Sequence, residues 1–207
     1  RVKLAWWRSE IERLYLQKPQ HPITQALSIE LTRFRLQKKY FVDIIDGVEM
    51  DLDKNRYQNF SELNTYCFRV AGVVGLLAAE IFGYEQQETL EYASRLGLAF
   101  QLTNIIRDVR EDLERDRIYI PLDEMSQFDV GVEDLAAFKT TPNIVKLLTF
   151  QVERAKRYYQ EAFALLASAD RYRQRSGIIM AEIYQKTLTE IERDGYRVLE
   201  NRIRLTP

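Results

Sequence analysis

Apolar residues recur along this chain at helical spacing. Over residues 1–16, Leu4, Trp7, Ile11 and Leu14 follow one another at steps of three and four and so share one helix face. Prolines at 19 and 22 break that pattern. The periodicity then predicts helices over 23–36 and 38–52, followed by a polar loop, DKNRYQN, at 53–59. Asn59 with Glu62 three residues on resembles a capping box and opens a helix over 60–82, which Gly83-Tyr84-Glu85 ends. Further helices are predicted over 87–114, 132–138, 142–168 and 176–203. Thr141-Pro142 supplies the N-cap and first helical residue of the 142–168 helix. No strand-type alternation of useful length, internal repeat or interdomain linker occurs. The expected fold is all-α, a single domain over 1–207 with seven or eight helices around one core.

Two segments depart from what a core helix needs. In the 60–82 helix, Gly72 and Gly75 lie on neighbouring turns, although glycine costs about 1 kcal/mol against alanine there. Close helix–helix approach and a local bend beside a ligand both account for them. Tyr66 and Arg69, one turn apart, present a hydroxyl and a guanidinium along one edge. The second segment is GLAFQLTNIIRDVREDLERDRIYIP, residues 97–121. Gln101, Asn104, Asp108 and Asp112 interrupt it at steps of three, four and four and fall within an arc of roughly 80°. Buried polar groups cost free energy unless paired, so this stripe calls for a partner, and a cation suits it best.

The donor set narrows the partner. Magnesium prefers hard oxygens and typically binds through one or two carboxylates plus substrate phosphates. Arg107, Arg110, Arg115 and Arg117 add guanidinium groups, which match phosphate oxygens in pairs. Carboxylate and arginine together suit a magnesium–diphosphate complex. The competing reading is a solvated helix end, in which Arg107–Glu111 is an i,i+4 pair and Glu111–Arg115 are surface neighbours; the apolar setting GLAFQLTNII argues against it. No glycine-rich phosphate loop is present, so a nucleotide is not indicated. A polar end on an apolar helical body suggests a substrate with a long apolar tail. Phe68, Val70, Val73, Leu76, Leu77, Phe100 and Leu102 are its candidate lining, or plain core.

Composition excludes several classes. The chain has 207 residues, 30 basic against 31 acidic, for a net charge of −1, which gives no bulk attraction to nucleic acid. A single cysteine, Cys67, rules out an intramolecular disulfide and suggests a reducing compartment. The single histidine, His21, sits in a loop between prolines, which argues against a Ser-His-Asp triad or a multi-histidine metal site. No apolar run reaches transmembrane length, leaving peripheral membrane contact open. Trp6 and Trp7 are expected as core or groove-lining aromatics. Asp43, Asp46, Glu49, Asp51 and Asp53 form either a solvated acidic face or a surface toward a cation. The helical pattern is already under way at Arg1, as in a fragment.

YCFRVAGVVG (66–75) followed by LGLAFQLTNIIRDVREDLERDRIYIP (96–121) resembles the paired signatures of the squalene/phytoene synthases. The second matches at Gln101, Asn104, Arg107, Asp108, Asp112, Arg117, Tyr119 and Pro121, and the likeness runs from KLAWWRSEI to the last helix. KLAWWR, HPI, the IDGVEMDL run and EIFGY look most like the bacterial presqualene diphosphate synthase branch of hopanoid biosynthesis. The resemblance implies the isoprenoid synthase fold, helices around a central apolar cavity. It implies magnesium-assisted, head-to-head condensation of two farnesyl diphosphates to presqualene diphosphate, with geranylgeranyl diphosphate and phytoene as the alternative. It assigns Asn104, Asp108 and Asp112 to magnesium and diphosphate, and Gln101, Arg107, Tyr184 and Arg202 to the diphosphate. Tyr66 is assigned to the reacting carbons, steering proton loss. The family also carries a first Asp-rich motif ahead of the KLAWWR region. Asp43-x-x-Asp46 and Asp51-x-Asp53 differ from it in spacing and context. Residues 1–207 are therefore expected to be a prenyl synthase domain lacking its N-terminal helices. A non-catalytic accessory subunit that binds a prenyl diphosphate is the alternative outside the enzymes. The expected location is cytoplasmic, with peripheral contact at the inner membrane face as an option.

Overall fold

A computed structural model describes residues 1–203. Eleven α-helices follow in order: α1 (Val2–Tyr15), α2 (Pro22–Glu30), α3 (Lys38–Asp53), α4 (Phe60–Cys67), α5 (Val73–Phe82), α6 (Glu88–Arg107), α7 (Val109–Leu113), α8 (Leu122–Gln127), α9 (Val132–Ala136), α10 (Pro142–Leu165) and α11 (Arg175–Arg193). A π-helical turn, Phe68–Gly72, joins α4 to α5. Among the described residues there is no strand, only a bridge between Arg56 and Ile118. Helix α6 is the axis of the fold. It is buried on most of its circumference, from Thr89 to Ile106, and packs against α5, α10 and α11. A smaller apolar cluster of Ile11, Leu14 and Ile45 joins α1 to α3, with Leu4 and Trp7 packed against it; Trp6 is more exposed.

Local sequence explains most of the boundaries. The Asn59 side chain accepts from the Glu62 N–H at 3.0 Å, as a cap should; the returning arm of the expected box instead runs from Glu62 to the Gln58 N–H. Thr141 caps α10 as expected. His21 caps α2, its Nδ1 accepting from the Ile23 N–H at 3.2 Å. Three expected helices end early. The 23–36 helix stops at Glu30, the 142–168 helix at Leu165, and the last at Arg193, where Gly195 and Tyr196 adopt φ of 70° and 61°. The 87–114 helix breaks at Asp108 (φ −100°, ψ 14°).

Close helix–helix approach is the reason for Gly75. An added Cβ at Gly75 would come within 2.1 Å of the Ala93 carbonyl oxygen, and one at Gly97 within 2.3 Å of the Ala71 carbonyl oxygen. The two backbones therefore touch where α5 and the turn before it cross α6, and the π turn supplies a local irregularity in the same place. One sequence expectation needs correction: Phe60–Phe82 forms a 23-residue helical segment long and apolar enough to span a membrane by composition. The segment packs on α6 through Gly75, and 33% of its most apolar window is buried.

Candidate active site

The polar stripe begins in the last turns of α6. Gln101 and Asn104 line a cavity of about 250 Å³ between α5, α6 and α11. The rest of its wall is mostly apolar and includes Val74, Phe82, Leu96 and Met180. Of the seven residues proposed from sequence as tail lining, Val70 and Phe100 line this cavity. Val73 and Leu102 are instead buried core, and Phe68, Leu76 and Leu77 do not border it. The helical period explains the sorting: only one face of each helix can meet the cavity, and the rest packs against neighbours.

The Asn104 side-chain oxygen is buried and has no hydrogen-bond partner. Beyond it, the break at Asp108 turns that carboxylate back toward Arg107, which grips it with Nε at 2.7 Å and Nη2 at 2.6 Å. This grip takes the place of the Arg107–Glu111 pair of the competing solvated-end reading. It also raises the Arg107 pKa, with a smaller contribution from the Tyr184 hydroxyl of α11. Tyr184 is held there by Phe100, their rings 4.7 Å apart. Asp112 is half-buried, and its pKa is pushed up to about 6, first by burial and then by the Asp108 charge, with Arg115 and Arg117 opposing. Arg202 remains mostly exposed and pairs with Glu111 at 3.6 Å rather than with the stripe. Arg110 points elsewhere, donating to the Leu199 and Glu200 carbonyls at 3.2 Å.

These donors can be tested against a cation. Among the described residues no group of three or more His, Cys, Asp or Glu side chains is gathered for a metal. The stripe instead offers two carboxylates and two amides. An unpartnered buried amide oxygen and a carboxylate whose charge is unfavourable are both relieved by a hard cation nearby. A cation that takes its other ligands from water and phosphate oxygens fits this sparse set.

The whole chain, residues 1–207, matches the family model for squalene/phytoene synthase. The chain belongs to the squalene/phytoene synthase family. It is 37% identical to the phytoene synthase of Arthrospira platensis over 96% of its own length and 69% of that protein. It is 38% identical to a chloroplast phytoene synthase of Solanum lycopersicum over 92% of its length, spanning 63% of that protein. Its fold superposes on the squalene synthase HpnC from Alicyclobacillus acidocaldarius with a TM-score of 0.88 and 25% identity, covering 93% of this chain and 73% of the other. The fold is thus the helical one that the resemblance implied.

In this squalene/phytoene synthase chain Tyr66 stands apart from the cavity lining, in a second polar group. Its hydroxyl donates to Asp51 at 3.1 Å and lies 3.5 Å from the Tyr119 hydroxyl, which itself donates to Asp51 at 2.8 Å. Arg117 donates to the Asp51 carbonyl at 3.3 Å and, through its own N–H, to the Asp112 carbonyl at 2.8 Å. The tyrosine group and the stripe therefore adjoin through Arg117. Asp51 and Tyr119 had no assigned role in the sequence reading. The acidic run divides: Asp46, Glu49 and Asp53 remain partly exposed in ion pairs, while Asp51 departs from the solvated face. Asp46 and Glu49 bind Arg8 at 2.6 and 3.1 Å, Asp53 binds Arg1, and Asp51 turns inward to the tyrosines. Its period relative to its neighbours was visible, but its partners lie 15 and 68 residues away.

Proposed function

We propose that this chain forms the diphosphate-binding wall and part of the tail cavity of an enzyme that condenses two farnesyl diphosphates head to head into presqualene diphosphate. One observation carries the reading: Gln101 and Asn104, whose amide oxygen is unpartnered, line an apolar cavity, and the same helix face continues into the Asp108 and Asp112 carboxylates and the Arg107 guanidinium. Asn104, Asp108 and Asp112 are the residues to hold magnesium. When bound, magnesium neutralises charge on a departing diphosphate. Arg107 offers the same oxygens a charged donor, with Tyr184 steadying it and Gln101 at the cavity's polar edge. The apolar walls around Phe100 keep water from the allylic cation while it waits for the second substrate's double bond. Tyr66 steers the loss of the proton as the cyclopropane closes, and the released diphosphate is the base that takes it. Arg202 would close on the diphosphate only by leaving Glu111.

The C15 choice rests on KLAWWR, HPI, the IDGVEMDL run and EIFGY. A second reading, two geranylgeranyl diphosphates giving a C40 product, is favoured by the phytoene synthases among the relatives. Full-length protein containing this chain, incubated with magnesium and either diphosphate, is expected to convert the C15 substrate to presqualene diphosphate. A C40 product from C20 substrate alone would move the assignment to the second reading. No turnover of either would leave the accessory-subunit reading in place and overturn this one. Asp108→Ala is expected to abolish turnover while keeping the helical circular dichroism.

A further inference from the structure

Unlike Asp46, Glu49 and Asp53, Asp51 bonds no cationic side chain; both of its carboxylate oxygens are committed to phenols. It sits in the last turn of α3, and Arg117 fastens its main-chain carbonyl from the segment after α7. Tyr66 comes from α4 and Tyr119 from the chain beyond α7, so three separate segments meet on this carboxylate. The rings are held as firmly as the hydroxyls. Tyr66 and Tyr119 stack at 5.3 Å with 22° between planes, and Tyr57 stacks on Tyr119 at 5.8 Å and 23°.

The protons in this group can be counted. An ionised carboxylate only accepts, and each phenol has one proton to give. Tyr119 gives its proton to Asp51 at 2.8 Å. Tyr66 gives its own to Asp51 at 3.1 Å or to the Tyr119 oxygen at 3.5 Å. In both cases the proton stays inside the group, which leaves the Tyr66 oxygen a lone pair and no proton to offer a further partner. Burial, with Tyr119 and Asp51 adding to it, raises the Tyr66 pKa, so the phenol stays neutral. A neutral oxygen that can only accept suits a neighbouring carbocation and a departing proton; an outward O–H would repel the first and block the second.

We propose that Asp51 is a positioning residue for the condensation: its carboxylate draws the Tyr66 and Tyr119 protons inward and so presents the Tyr66 oxygen as a pure acceptor. This rests on the proposed function, which places Tyr66 beside the reacting carbons. An amide at the same place has N–H donors as well as an oxygen, so Asp51→Asn forces one phenol to turn its proton outward.

The test has two arms. In full-length enzyme, Asp51→Asn is expected to lower kcat on the order of 100-fold with KM little changed, and to divert product toward water-quenched prenyl alcohols. In a Tyr66→Phe, Tyr119→Phe background the same substitution should add little, because Asp51 acts through those hydroxyls. A penalty that multiplies fully in that background, or wild-type turnover and product ratio in Asp51→Asn, overturns the proposal. The second arm needs no turnover. Proton NMR of the wild type should show slowly exchanging hydroxyl protons, assigned by Tyr66→Phe and Tyr119→Phe and altered in Asp51→Asn. Their absence from the wild type overturns the proposal even if Asp51→Asn does not fold. Their presence in a protein that turns over neither diphosphate upholds the proton arrangement and overturns the proposed function instead.

Discussion

Asn104 and Asp112 are maintained against their own stability. A buried amide oxygen without a partner costs about 1–3 kcal/mol. Asp112 has its pKa raised to about 6, so the folded chain binds that proton more tightly than the unfolded chain, whose ordinary value is 3.8. Its favourable contribution is therefore present at low pH and fades as pH rises from about 4 to about 6. A cation that binds the ionised form reverses the slope. Melting curves from pH 4 to 7.5 should show that magnesium with inorganic diphosphate stabilises the protein more as pH rises through 6. Asp112→Asn should remove most of that ligand response and flatten the metal-free slope over the same range. Equal stabilisation by the ligands at pH 4.5 and 7.5 would contradict the assignment of Asp112 as a ligand. The stripe was legible in sequence because polar residues at helical spacing in an apolar segment need no tertiary knowledge to be noticed. The grip of Arg107 on its neighbour was not, because it depends on the helix breaking at Asp108.

At the scale of elements, the crossing of α5 and its preceding turn over α6 is the tightest constraint. Alanine at an open helical position gains up to about 1 kcal/mol over glycine. At Gly75 and Gly97 the new methyl would run into backbone carbonyls at 2.1 and 2.3 Å, and backbone cannot swing aside as a side chain can. Gly75→Ala and Gly97→Ala are each expected to lose about 1–3 kcal/mol in urea unfolding. Gly177→Ala, where the nearest atom is the Tyr92 hydroxyl at 3.3 Å, should lie close to neutral. A stabilised Gly97→Ala would refute the close crossing. The sequence marked Gly72 and Gly75 as needing a reason but passed over Gly97, which looked like the start of a polar signature. Helix bodies were readable from period and caps. Their ends at Glu30, Asp108 and Arg193 were not, since apolar residues continue past each and serve loops that pack on the core.

Across the whole molecule, buried charge links elements far apart in sequence. Glu124 on α8 meets Arg154 and Gln151 on α10, with the guanidinium 3.9 Å from the Phe60 ring centre and 4.9 Å from that of Phe150. Removing one partner strands the other in an apolar surround. Glu124→Ala is expected to cost about 3–5 kcal/mol, and Glu124→Leu with Arg154→Met to recover most of it, read by denaturant midpoint. Additive losses in the double variant would show that the pair is not a coupled unit. Sequence by itself determined the all-helical class, the stripe of Gln101, Asn104, Asp108 and Asp112, and the family, because helical period and donor chemistry are local properties. Only the tertiary structure decided which apolar residues line the cavity, that Arg107 holds Asp108, and that Asp51 faces two tyrosines instead of solvent. Those facts are set by how segments tens of residues apart are brought together, and the energy that brings them, apolar burial, is blind to which polar partners it leaves in reach.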